Sequence, residues 1–307
     1  MNYTLHQLLV FTTIAKTESI TKAAEELNLT QPAVSIQLKN LQDQFELPLT
    51  EIIGRKLYVR EFGKEIAAAA NNILNEVQAI DYKTQEYKGL LSGKLKIAAV
   101  STGIYVIPYF LEGFLQHHPG IALSLDVTNK AKVLESLENN DIDFAMVSVL
   151  PENMAIENIP LLKNKLYLIN NTQQIFQAKK HLLSLLEKIP LIFREQGSGT
   201  RLTMESFFAE KSISVHQKME LTSNEAVKQA VLAGLGSSIM PLIGIKNELM
   251  NKSLQIIPLQ NFPIITNWQL IWRKGKKHSA IGRALLKHIQ EEKENIIKKY
   301  FDWYEQY

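Results

Sequence analysis

Gln31, Ser35, Gln37 and Lys39 are side chains of the kind that read base edges or hold phosphates. Glutamine pairs bidentately with adenine, serine adapts to donor or acceptor, and lysine reaches guanine or phosphate. They alternate with apolar Val34, Leu38 and Leu41, so a helix through them would bury one side and present the other. Thr30 suits the N-cap of that helix, and Pro32 sits in its first turn, where a missing amide donor costs nothing. From Gln31 to Gln42 there is no acidic residue to repel a phosphate backbone. Downstream, Arg55 and Lys56 follow Gly54 between two β-favouring segments, Leu49 to Val59, which puts basic charge at a hairpin tip. Taken alone, a polar helix face is more often an ordinary solvated surface, and a basic turn serves solubility as well.

A second group of polar residues falls where strands should give way to helices. Ser101 and Thr102 follow one expected strand, and Thr128 and Asn129 follow another. Gly197, Ser198, Gly199 and Thr200 precede a helix, with Arg201 just inside it, and Asn224 precedes a further helix-like segment, Glu225 to Ala233. In open α/β sheets ligands bind outside the carboxyl ends of strands, where helix N-termini offer free amides and partial positive charge. Hydroxyls, amides and a guanidinium from Arg194 or Arg201 would together suit a carboxylate, a phosphate or a sulfite-like anion. Capping and turn formation account for the same residues, and Arg201 equally suits a structural ion pair.

Catalytic patterns do not occur. Gly197-Ser-Gly is not a nucleophile elbow, there is no phosphate-loop or His-Glu-x-x-His motif, and Gly234-Leu-Gly236 lacks the rest of a dinucleotide fingerprint. His117 and His118 are adjacent, so they point to different helix faces and make a poor metal pair. No cysteine is present, which removes disulfides, thiolate catalysis and cysteine-bound metals. We expect no enzyme, no metal and no cofactor.

Helix-period stripes position the first group. Leu5, Leu8, Leu9, Thr12 and Ala15 mark a first helix, and Ala23, Ala24 and Leu27 a second, for which Thr21 is a candidate cap. After the hairpin, Ile66, Ala70, Ile73, Val77, Ile80, Thr84 and Tyr87 recur at spacings of four and three, the seam of a helix lying along another helix. A dimerising linker helix is the expectation, against the alternative of packing on its own domain. From Gly93 strands and helices alternate. Leu95–Val100, Ala122–Val127, Phe144–Val149, Leu166–Ile169, Leu191–Phe193, Ser238–Met240 and Gln269–Trp272 read as strands, which implies parallel sheets with covered faces.

The run Ser19-Ile-Thr-Lys-Ala-Ala-Glu-Glu-Leu-Asn-Leu-Thr-Gln-Pro-Ala-Val-Ser35, with the wing and long helix behind it, resembles the N-terminal domain of LysR-type transcriptional regulators. The similarity extends over essentially the whole chain. Val127-Thr-Asn129, Arg194 to Arg201 and Leu221 to Val231 look most like the branch that includes regulators of carbon-fixation operons and related sulfur-metabolism regulators. The resemblance implies an α/β protein in which a winged helix-turn-helix (1–62) and a linker helix with hinge (63–92) precede a two-lobed Rossmann-like effector domain of periplasmic-binding-protein type (93–307). Lobe one would take about 93–165 and 267–307, and lobe two about 166–266. It implies DNA contacts from Thr30, Gln31, Pro32, Ser35, Gln37, Lys39, Arg55 and Lys56. Thr102, Thr128 and Ser198 are the effector residues it supports most directly.

Charge alone would not have suggested DNA. Residues 1–88 hold nine basic side chains against eleven acidic, whereas 273–299 hold nine against three. The basic tail has the apolar spacing of an amphipathic closing helix, so its charge is read as a solvated face. No apolar run approaches the roughly 18 residues of a membrane span, and the start lacks a secretory pattern. The expected partners are double-stranded promoter DNA, a small anionic metabolite and further copies of the chain, as homodimer or homotetramer, in the cytoplasm. A periplasmic solute receptor would leave residues 1–62 unexplained, and an enzyme fused to a DNA-binding domain would need a reactive constellation.

Overall fold

The computed structural model describes residues 3–54, 56–86, 91–173 and 182–307, without the side chains of 78, 79 and 81–86. The chain divides into two compact units, one built on 1–91 and the other on 92–138 with 142–307.

The first unit starts with α1 (Leu5–Thr17), opened by a capping box in which Thr4 and Gln7 each bond the other's backbone amide. Its buried side is Leu8, Val10, Phe11 and Ile14. The expected stripe is therefore displaced: Leu5 and Leu9 are 47% and 41% exposed. The helices of this unit close over the side carrying Phe11, the bulkiest apolar residue of α1. Helix α2 (Ile20–Leu27) is capped by Ser19, whose hydroxyl accepts from the Lys22 amide, rather than by Thr21. Asn28 ends α2 in the left-handed region, φ 53°. Helix α3 (Gln31–Gln42) is capped by Thr30 with Pro32 in its first turn, as its sequence predicts, and buries Val34, Leu38 and Leu41. Strands β1 (Thr50–Ile53) and β2 (Lys56–Val59) pair antiparallel as the wing. Helix α4 (Glu61–Glu86) follows at once. A Cβ on Gly63 would lie 2.0 Å from the Leu49 carbonyl oxygen, so only glycine lets α4 start against the chain entering the wing.

The second unit runs β3 (Gly93–Val100), α5 (Ile107–His117), β4 (Ile121–Thr128), α6 (Lys130–Glu138), β5 (Phe144–Val147) and β6 (Ile156–Asn171). It continues with β7 (Pro190–Arg194), α7 (Gly199–Glu210), β8 (His216–Leu221), α8 (Asn224–Leu232), β9 (Ser238–Pro241), α9 (Lys246–Met250), β10 (Leu254–Ile256), β11 (Ile264–Arg273) and α10 (Ala280–Phe301). The sheets are mixed rather than parallel. Strand β3 pairs parallel with β4 and β5, and β7 with β8, but β11 lies antiparallel to both β5 and β6, and β6 antiparallel to β9 and β10. The cause is the path of the chain: β6 leads out of lobe one and β11 leads back, so the two lie side by side in opposite directions. In the described residues they join seven strands into one sheet ordered β10-β6-β11-β5-β3-β4, with β9 on β6. Lobe two has its own apolar centre, including Leu168, Leu191, Phe193, Met204, Phe207 and Ile239.

Candidate DNA-reading helix and inter-lobe cleft

Helix α3 shows two unlike sides. Its buried residues join Ala23, Ala24, Phe11 and Ile14 in the core of the first unit, while Thr30, Gln31, Pro32 and Lys39 are exposed and Ser35 and Gln37 half-buried. Gln42 turns inward, donating to the Leu47 carbonyl and accepting from the Leu49 amide, which fastens the end of α3 to the start of the wing. Ile36, not singled out from sequence, is 57% exposed among these polar groups. An exposed aliphatic residue here suits the thymine methyl in a major groove. In the wing, Lys56 is exposed with its ammonium 5.0 Å from the Tyr58 ring centre. Arg55 lies outside the described residues.

Along α4 the expected seam separates into two parts. Ala70 is buried and Ile66 packed in the first unit's own core, which takes them out of any partner-facing seam for the same reason the alternative reading gave. Val77 is half-buried, and Ile73 and Ile80 are exposed.

The cleft of the second unit gathers the ends of three strands of lobe one and one of lobe two. Ser101 and Thr102 follow β3, Asn129 follows β4, Ser148 follows β5, and Arg194 ends β7. Opposite, Ser198, Gly199 and Thr200 form the first turn of α7. These groups and Lys130 line a cavity of about 10 Å³, room for about one water. The lobes are closed on each other. A Cβ on Gly199 would lie 3.4 Å from the Ser148 hydroxyl, one on Gly197 (φ 83°) 3.4 Å from Ala131 Cβ, and one on Gly244 3.3 Å from the Tyr105 ring.

Two helix N-termini, those of α6 and α7, open at this cavity. Asn129 caps α6 through its side-chain oxygen, which accepts from the Lys132 amide. Ser198 occupies the N-cap position of α7 without making a cap bond, so its hydroxyl is not committed to the helix. Lys130 is the residue the sequence reading missed. It is the first residue of α6, 8% exposed, with its ammonium 3.3 Å from the Leu150 carbonyl oxygen. Burial lowers its pKa, against a weaker opposing pull from Glu152. A cation at the positive end of a helix and out of water is doubly disfavoured unless an anion joins it. Its signal was available, since a lysine directly after the Thr128-Asn129 strand end must sit in the first turn.

The two arginines are differently committed. Arg194 donates bidentately to Glu195, at 2.8 and 2.9 Å, and to Asn224 Oδ1 at 2.6 Å. Arg201 does not line the cavity; its guanidinium bonds Glu205, Glu220 and the Arg194 carbonyl, which is the structural ion-pair alternative. Asn224 and Thr128 also lie off the lining, as does Gly197. Asn224 Nδ2 is buried without a partner.

Residues 5–64 match the model of the bacterial regulatory helix-turn-helix protein, lysR family, and residues 88–294 that of the LysR substrate binding domain. The chain belongs to the LysR-type transcriptional regulators. Among its relatives in that family is the HTH-type transcriptional activator CmpR of Synechocystis, 40% identical over 94% of this chain and 95% of the relative. A RuBisCO operon transcriptional regulator of Allochromatium vinosum is 36% identical over 95% and 97%. A solved regulatory domain of Synechocystis CcmR, in complex with 2-PG, matches with a TM-score of 0.63 and 33% identity over 66% of this chain and 99% of that one. Full-length OxyR from Pseudomonas aeruginosa shares the fold, with a TM-score of 0.71 at 20% identity over 97% of this chain and 95% of that one. As a LysR-type regulator the chain combines a DNA-binding helix-turn-helix with a ligand-binding domain, and among the described residues no helix is long and apolar enough to cross a membrane.

Proposed function

We propose that this regulator is controlled by a small phosphorylated carboxylate bound between the lobes, of the kind exemplified by the 2-PG bound to CcmR, and that it governs a carbon-fixation operon, as the name of its Allochromatium relative, a RuBisCO operon regulator, suggests. One observation carries the ligand class: the buried Lys130 at a point where two helix N-termini meet hydroxyls. Those donors favour a compact oxyanion of more than one negative charge. Arg194 is already paired with Glu195, so it contributes orientation more than net charge. A cavity of about 10 Å³ is far below the few hundred Å³ of ordinary ligand pockets, so entry requires the lobes to part. The effector then stabilises whichever interlobe angle it fits, and shifts the regulator between two states.

On DNA, α3 enters the major groove with Gln31, Ser35, Gln37 and Lys39, supported by Thr30 and Pro32 at its start, while Lys56 and Arg55 of the wing hold phosphates. Ile73, Val77 and Ile80 of α4 face a second copy, so that a homodimer or homotetramer reads two half-sites. A regulator acting on promoter DNA would work in the cytoplasm, and no catalytic step is assigned to it. The deciding experiment is thermal unfolding of the full chain with 2-PG, inorganic phosphate or glycerol, followed by footprinting on its own promoter. A rise in melting temperature with 2-PG, absent with glycerol, together with a changed footprint, is expected. No shift with any anion would overturn the effector assignment.

A further inference from the structure

Strand β6 carries the passage between lobes. It pairs with β11 from Ile156 to Leu166, and from Leu166 takes β9 and then β10 of lobe two. The residue at the change of partners is Lys165, whose side chain is buried to an extent unusual for lysine, 9% exposed. Its ammonium meets three acceptors: the Tyr304 carbonyl at 3.0 Å, the Tyr307 carbonyl at 3.1 Å and the Glu305 carboxylate at 3.3 Å. Its backbone amide donates to the Tyr304 hydroxyl at 3.0 Å, and Tyr304 is fully buried. All of these partners lie in or beside one short 3₁₀ segment, Asp302–Gln306, directly after α10.

The same few residues reach both lobes. Helix α10 is fastened to α5 of lobe one where Phe110 stacks on Phe301 and Tyr109 meets Tyr300, with ring centres 6.2 and 4.8 Å apart. Two residues beyond Phe301, Trp303 receives the ammonium of Lys246, 4.7 Å from its ring centre, and Lys246 begins α9 of lobe two. Lobe one, the crossing strand and lobe two are therefore tied within one short stretch of chain. A turn of one lobe against the other must break the Lys246–Trp303 contact or drag Tyr304 from its site beside Lys165, which would leave a buried ammonium short of acceptors.

We propose that residues 302–306 form a strap across the hinge that holds the lobes at the angle seen here, and so sets the effector concentration at which the regulator switches. The second clause rests on the effector reading above; the first does not. Because the chain contains no cysteine, Glu135→Cys on α6 and Glu210→Cys on α7, both exposed, can be spin-labelled as the sole pair within a chain, and mixing with an excess of unlabelled chain removes distances between copies. Interlobe distances would be measured by pulsed electron paramagnetic resonance on the full chain, with and without 2-PG, in the parent and in Lys246→Gln and Trp303→Ala. Lys246→Gln alters only the grip on lobe two, whereas Trp303→Ala also removes the ring packed 5.3 Å from that of Tyr304, and a circular-dichroism melt establishes that both are folded. The ligand-free distances are expected to broaden and lengthen in both, and half-saturation by 2-PG to fall about threefold or more, because the angle held by the strap leaves room for about one water and its release populates the parted lobes that admit the anion. Ligand-free distributions identical to the parent in both folded variants would overturn the strap. Those distances are read without effector, so failure of 2-PG to bind would sink the effector assignment alone and leave the strap to stand or fall on them.

Discussion

Lys130 shows how a single side chain can be costly to the fold and useful to the site. Buried at the first turn of α6, it gains one carbonyl contact and loses its hydration. Lys130→Met is expected to leave the ligand-free protein at least as stable, because it removes a desolvated cation from the positive end of a helix. Anion binding should weaken by about tenfold to a hundredfold, the equivalent of one charge-assisted hydrogen bond at about 1.5–3 kcal/mol. Titration calorimetry with 2-PG checks both the loss and the stoichiometry. Two histidines give a different dependence. His278 stacks on Phe144, ring centres 5.0 Å apart, and His288 lies against Phe114 at 5.7 Å; burial lowers the pKa of each, and neither Nε2 has a partner. The unfolded chain takes up these protons near the ordinary value of 6.5 while the folded rings stay neutral. Stability is thus complete above that value and falls as the pH drops through it towards the lower folded values. Melting temperatures measured from about pH 7.5 down to about pH 5.5 should decline, and decline less in His288→Phe, which retains the ring contact without the proton site.

Among the elements, α3 was the most legible in the sequence, because its cap, its first-turn proline and its three buried positions all specify the same helix. The stripe of α1 misled because Leu5 and Leu9 have the right period but the wrong side, and period alone does not say which side a neighbouring helix covers. Likewise Leu166–Ile169 and Gln269–Trp272 were visible as strands, but only as the apolar parts of β6 and β11. Their other portions, with Asn164, Lys165 and Asn267, are polar stretches whose strand conformation is imposed by pairing rather than by composition. In the cleft, hydroxyls at strand ends were readable from spacing, whereas the separate fates of Arg194 and Arg201 depend on Glu195, Glu205 and Glu220. The wing offers two tests at this level. Lys56→Ala should reduce the slope of log affinity against log salt by about 1 on every DNA sequence, measured by fluorescence anisotropy. Gly63→Ala should destabilise the first unit by about 1–3 kcal/mol in denaturant titrations, since a methyl 2.0 Å from a carbonyl oxygen forces α4 away from Leu49.

Switching, finally, depends on how completely two lobes joined by continuous strands can close. They meet through lobe-two glycines: Gly197 against Ala131, Gly199 against Ser148, and Gly244 against Tyr105. Absence of a side chain at these places is what allows α7 to approach the strand ends of lobe one closely enough for one anion to touch both. Gly199→Leu adds bulk between α7 and Ser148 and should hold the lobes apart without touching Lys130 or the DNA-binding unit. Operator affinity without effector is therefore expected to match the parent, whereas 2-PG should neither raise the melting temperature nor alter the footprint. Lys130→Met would move the same responses to higher 2-PG concentration for a different reason, and the interlobe label pair separates the two. Ligand-free distances should lengthen in Gly199→Leu and stay at the parental value in Lys130→Met. If Gly199→Leu kept parental distances and a parental response to 2-PG, close approach of the lobes at α7 would have no part in the switch.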